Sequence, residues 1–136
     1  MGDGVLRREI EKLVKELELD ESVVFLGNVS NVEEFFQMSD VYVMPSLYEG
    51  LPVALMEAQA SGLHCVVSDG IAREANVSGN VKFLSLDSDI GEWANELINF
   101  ERTNRGDFYE IMRSRGYDVK DCIKRLERIY DKCMVN

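Results

Sequence analysis

Several residue types that make a function easy to read are scarce in this sequence. There is one histidine, His64, so no cluster of imidazole ligands can form, and as the first residue of an apolar run it reads as structural. The three cysteines, Cys65, Cys122 and Cys133, are odd in number and lack metal-ligand spacing. They point to reduced thiols in a cytosolic compartment rather than a disulfide framework. No apolar run approaches the roughly 20 residues of a membrane span. The first dozen residues are too charged for a signal peptide. Positive charge is also short, with 15 Lys and Arg against 25 Asp and Glu, a net charge of −10. With no basic stripe in that background, nucleic acid is excluded as a partner. An anionic small molecule would have to be held by local donors, not by the overall field.

What is present fits one globular domain. The chain has 136 residues, 46% of them hydrophobic, with no repeat and no low-complexity tract. Short apolar runs at Val23–Leu26, Val41–Met44, His64–Ser68 and Val81–Leu84 read as four strands. Helical spacing occupies the intervals. Val5, Leu6, Ile10, Leu13, Val14 and Leu17 mark a first helix, with Asp3 as its cap. A second runs from Ser30 or Asn31 to Met38, and a fourth from Asp89 to Phe100. A charged segment from Asp107 to Met134, broken around Gly116, reads as a terminal strap. The expectation is an α/β fold: a partial doubly wound, Rossmann-like parallel sheet of about four strands, with helices on both faces.

The third helix carries the chemistry. Val41–Met44 is followed by a loop holding Glu49 and Gly50, then by Pro52-Val53-Ala54-Leu55-Met56-Glu57-Ala58-Gln59-Ala60 and Gly62. Proline suits a first helical position. The segment is apolar almost all round, which predicts a buried helix, and Gly62 suits a left-handed C-terminal stop. A helix start offers unpaired N–H groups and a partial positive charge. Gly50, Leu51, Pro52, Val53 and Ala54 therefore form a candidate diphosphate cradle, with Gly50 free of any side chain that would block approach. Glu57 lies about 6 Å further along the axis at roughly 1.5 Å per residue, close to the span from phosphate to ribose. Its carboxylate matches a ribose diol, while Glu49 sits beyond the phosphates.

The motif E-G-L-P-V-A-L-M-E-A-Q-A-S-G, with glutamates eight positions apart, resembles the signature of retaining glycosyltransferases of the GT-B fold, family 4. The flanks Gly2-Asp3-Gly4, V-V-F-L-G at Val23–Gly27 and D-V-Y-V-M-P-S agree. The pieces W-A-N-E-L and V-K-F-L-S-L-D are similar to the branch that builds bacterial capsular and exopolysaccharides. The resemblance covers nearly the whole chain. It implies that Glu57 binds the nucleotide ribose and that Glu49, the candidate catalytic residue, contacts the donor sugar. It places Asn28 and Val29 near the base, and Gly2 and Gly4 in the donor-side pattern.

The implied donor is a UDP- or GDP-sugar, with no cofactor and no metal. Asp87-Ser88-Asp89 has the form of a metal-binding D-x-D, but it directly precedes a helix and reads as a cap. The resemblance also implies missing parts: an N-terminal acceptor domain, and an opening segment that supplies a lysine and an arginine. The chain alone is then expected to be inactive, with a homodimer covering exposed apolar surface. The setting is cytoplasmic, with membrane contact only through a full-length enzyme. The rival readings are a vestigial nucleotide-binding module that transfers nothing, and an epimerase of related fold.

Overall fold

The computed structural model describes residues 4–100 and 105–134 of the chain. Two compact units appear, Met1–Val32 and Glu33–Asn136.

The first unit holds α1 (Arg7–Glu16) and an irregular return. The N-cap position of α1 is Leu6, and in the turn before it Arg7 N–H donates to Gly4 C=O at 3.0 Å; the expected cap residue is not among the described ones. Asp3 and Gly2 fall outside the described residues. The predicted strand at Val23–Leu26 does not form. β-branched residues favour extended backbone, but a strand needs a ladder partner, and no described strand pairs with this run. What fixes it is local. The Arg7 guanidinium lies 5.7 Å from the centre of the Phe25 ring and pairs with Glu11 at 2.7 Å. Gly27 follows with φ +65°, a conformation that favours glycine. The apolar stripe of α1 is uncovered within this unit, with Ile10, Leu13 and Leu17 exposed.

The second unit is built on three parallel strands, β1 (Val41–Met44), β2 (His64–Ser68) and β3 (Val81–Leu84), in the order β1-β2-β3. All three runs were legible as strands. The sheet has three strands rather than about four because the Val23 run does not join it. The register sets Tyr42 opposite Cys65 and Val66 opposite Lys82. Helices flank the sheet: α2 (Val32–Met38), α3 (Val53–Ala60), α4 (Ile90–Ile98), α5 (Phe108–Ser114) and α6 (Val119–Met134). The core is Leu55, Ala58, Leu63, Cys65, Val66 and Val67, all fully buried.

Cap chemistry follows the sequence at both tested ends. Asp89 accepts from Gly91 N–H at 2.7 Å and caps α4, and Gly62 ends α3 with φ +72°. His64 is structural, as expected. Its ring stacks on Phe100 at 5.2 Å and its Nε2 lies 3.2 Å from the Glu96 carboxylate. The strap is broken after Ser114 and resumes at Val119, with Gly116 at φ +87°. Among the described residues, no helix is long and apolar enough to cross a membrane.

Candidate functional site

The site starts where β1 ends. Pro45 cannot donate to a sheet ladder, so the chain leaves the sheet and runs as a loop to α3. Three contacts hold that loop against the end of β2. The buried Ser68 hydroxyl donates to the Ser46 carbonyl. Glu49 forms an isolated parallel bridge with Ile71. Between them, Gly70 lies so close to Leu47 that a Cβ there would overlap the Leu47 carbonyl oxygen. The loop carrying Glu49 is thus fixed by the segment after β2. Gly70→Ala is expected to push the two loops apart and to destabilise by about 2 kcal/mol, as overpacking does. A chemical denaturation curve with an unmoved midpoint would rule out that close approach.

The helix mouth differs in detail from the sequence expectation. Pro52 is the N-cap rather than the first helical residue, with extended backbone (φ −72°, ψ 117°). A proline there gives up no bond either, since its missing N–H precedes the helix. Its carbonyl accepts from Leu55 N–H at 3.1 Å and Met56 N–H at 3.2 Å. The N–H groups of Val53 and Ala54 meet no acceptor among the described residues, no side chain caps the helix, and its first turn carries no acidic residue. Leu51 is 55% and Val53 69% exposed, so protein packing does not plug the mouth. Gly50 stands in open space, with nothing within 4 Å of where its Cβ would be and no positive φ.

The expected all-round burial of α3 holds on one side only. Leu55, Ala58 and Gln59 face the core, because residues three and four apart share a helix face. Val53, Glu57 and Ala60 lie on the opposite face and line a groove of about 580 Å³. Its far wall is Tyr109, Met112, Arg113, Tyr117, Asp118 and Val119, from α5, the elbow after it and the first residue of α6. The groove therefore begins at the first turn of α3 and passes Glu57. Glu57 is exposed, and no described cation or donor pairs with its carboxylate. Arg113 is bound to Asp121 at 3.1 Å, and Tyr109 donates to Asp118 at 2.8 Å.

Tyr42 links the two glutamates electrostatically. Its phenol is pushed up from 10.0 to about 12, first by burial, then by Cys65, Glu49 and Glu57. Burial alone raises the Cys65 thiol from 9.0 to about 12. Both acids stay neutral in the fold, whereas an unfolded chain would release these protons at lower pH. The stabilisation is full below about pH 9 and is lost as the pH rises towards 12, because the unfolded state then binds fewer protons. The Cys65 share at pH 10.5 is on the order of 2 kcal/mol. Cys65→Ala is expected to flatten the alkaline decline in thermal stability; an unchanged slope would refute the assignment.

Asn28 is exposed and Val29 half-buried, both in the first unit after Gly27. Gly4 is exposed with open space around it, and Gly2 lies outside the described residues. Arg73, at the start of a 3-10 turn (Arg73–Ala75), stacks on the Phe83 ring at 4.2 Å.

Sequence reasoning missed the groove and Gln59. Gln59 is fully buried. Its Nε2 donates to Ala75 C=O at 2.9 Å, and its Oε1 accepts from Val77 N–H, Ser78 N–H and Ser78 Oγ, each at 2.9 Å. The available signal was one amide on the core face of an apolar helix, since a buried polar group needs partners.

The family described as "Glycosyl transferases group 1" matches residues 1–119. A Bacillus subtilis (strain 168) protein named as a glycosyltransferase, EpsF, is 40% identical over 96% of this chain and 35% of its own length. The UDP-Gal:alpha-D-GlcNAc-diphosphoundecaprenol alpha-1,3-galactosyltransferase of Escherichia coli is 31% identical over the same shares. The Vi polysaccharide biosynthesis protein VipC/TviE of Salmonella typhi is 31% identical over 78% of this chain and 20% of its own length. The chain spans about a third of the length of the first two relatives.

Proposed function

The chain belongs to the glycosyl transferases group 1, and from that membership we propose that it is the nucleotide-sugar-binding part of a retaining GT-B glycosyltransferase. The reaction of the whole enzyme is transfer of a hexosyl group from a nucleoside diphosphate to an acceptor in surface polysaccharide synthesis. One observation carries the reading. An unplugged helix mouth with two N–H groups that meet no acceptor among the described residues opens into a groove that runs past a carboxylate with no partner among them. Phosphate oxygens bind the N–H groups of Val53 and Ala54, where the helix dipole favours negative charge. The ribose diol donates to Glu57. Glu49 receives the sugar, on a loop held by its bridge to Ile71.

Gly50 supports the same reading. Neither backbone conformation nor packing demands a glycine there, and close approach of a ligand supplies the reason. The protein's share of catalysis is positioning and stabilisation of the departing diphosphate. The E. coli relative is named for the donor UDP-Gal, which favours UDP over GDP as the first nucleotide to test. Acceptor recognition belongs to polypeptide outside this sequence, so the chain alone binds donor without turning it over.

Titration calorimetry with UDP and GDP tests the proposal. Saturable binding of one of them is expected; no heat with either would favour a vestigial module. Turnover of labelled UDP-sugar by the chain alone would overturn the predicted inactivity.

A further inference from the structure

β2 is the middle strand of the described sheet, and its last residue breaks the pattern of those before it. Cys65, Val66 and Val67 fill the core, and Ser68 is as fully buried as they are. A hydroxyl taken out of water costs free energy unless it is bonded, and a valine would continue the apolar run without that cost. The Ser68 hydroxyl donates to the Ser46 carbonyl, 22 positions earlier in the chain. Its own carbonyl accepts from Ile71 N–H at 3.2 Å, closing a turn over residues 68–71. Asp69 N–H donates to Leu84 C=O at 2.9 Å and fastens that turn to β3. The turn delivers Ile71, itself buried, to the backbone of Glu49.

Ser68 therefore holds the Glu49 loop at two places. Its side chain fixes the loop at Ser46, shortly before Glu49, and its backbone turn fixes Glu49 itself. The bridge is made by backbone and the Gly70 approach is steric, so only the Ser68 bond runs through a side-chain donor. It is the tie that a substitution can remove without adding bulk. A carboxylate that must meet sugar hydroxyls needs a fixed backbone beneath it, because a loose loop has to be ordered by the ligand at a cost in affinity.

We propose that Ser68 is a positioning residue for the donor sugar: its hydroxyl, by anchoring Ser46, sets where Glu49 presents its carboxylate. This rests on the reading of Glu49 as the residue that receives the sugar. Ser68 is buried and acts only through the loop, so its variants separate nucleotide from sugar.

Titration calorimetry with UDP, UDP-galactose and UDP-glucose tests it, with circular dichroism reporting the fold. Ser68→Ala is expected to bind UDP as wild type does and to weaken the preferred UDP-sugar about fivefold, the scale of one neutral hydrogen bond. In a Glu49→Ala background the same change is expected to cost nothing further, because the two residues act as one unit. Ser68→Cys keeps a weak donor at little change in size; it carries the same comparisons with less risk to the fold and is expected to fall between. Hydrogen exchange over residues 46–50 is expected to quicken in Ser68→Ala and to keep the wild-type rate in Glu49→Ala. A Ser68→Ala protein that binds the UDP-sugar as wild type does, or that loses UDP equally, overturns the inference and leaves the donor site standing. So do losses that add in the double variant, and so does unchanged exchange. A wild type that binds neither UDP nor its conjugates overturns the donor-site reading, and this one with it.

Discussion

Glu57→Ala is expected to weaken nucleoside diphosphate binding by about 100-fold or more while leaving the fold intact. The proposed contact is a carboxylate accepting from two ribose hydroxyls, and hydrogen bonds to a charged group contribute about 1.5–3 kcal/mol each. Losing both costs roughly 3 kcal/mol or more, and each 1.4 kcal/mol is a factor of about ten in affinity. Stability is expected to stay within about 0.5 kcal/mol, because the side chain is exposed and has no partner among the described residues. Glu57→Gln keeps one acceptor oxygen without the charge and is expected to fall between, near a tenfold loss. Glu49→Ala separates the two glutamates. It is expected to leave nucleoside diphosphate affinity unchanged and to weaken only the sugar-bearing donor. Calorimetry with the nucleotide alone and with its sugar conjugate reads all three. If Glu57→Ala binds as tightly as wild type, the groove beside α3 is not the ribose site.

Most of this arrangement was legible because its signals are local. The runs at 41–44, 64–68 and 81–84 are β-branched and bounded by turn residues, and each became a strand. Asp89 and Gly62 mark helix ends by chemistry that acts within one turn. The helix mouth was readable for the same reason, since proline, glycine and a missing acidic residue are visible along the chain. The exception is a shift of one position, with Pro52 as cap rather than first helical residue.

What failed depended on partners distant in sequence. Val23–Leu26 has strand composition, yet a strand exists only beside another, and the run itself cannot say whether one is there. The apolar composition of α3 implied burial all round. Burial, however, was decided by how α5 packs beside α3: Met112 of α5 is buried, but Val53 and Glu57 stay exposed on the groove between the two helices. The three ties on the Glu49 loop join residues about twenty positions apart, and nothing in the spacing announces them.

Gln59 shows what such a hidden tie is worth. Gln59→Leu is expected to destabilise the protein by about 4 kcal/mol, a large share of the 5–15 kcal/mol typical of a domain. The volumes are similar, so little cavity results; the loss lies in hydrogen bonding. Without the amide, Val77 N–H and Ala75 C=O stay buried with no partner from α3, while half-exposed Ser78 regains water. An unsatisfied buried group costs about 1–3 kcal/mol, and there are two such groups besides the lost bonds themselves. Gln59→Glu separates polarity from shape. A carboxylate keeps the acceptor for Val77 and Ser78, but it cannot donate to Ala75 and it buries a charge. Its deficit is therefore expected to shrink as the pH falls, because a protonated carboxyl donates again, whereas the deficit of Gln59→Leu stays constant. Urea denaturation at two pH values measures both. If Gln59→Leu unfolds within about 0.5 kcal/mol of wild type, the amide network is not what holds the segment after β2. That segment carries Ile71, and through its bridge the backbone of Glu49, so the amide at the far end of α3 acts on the loop at its mouth.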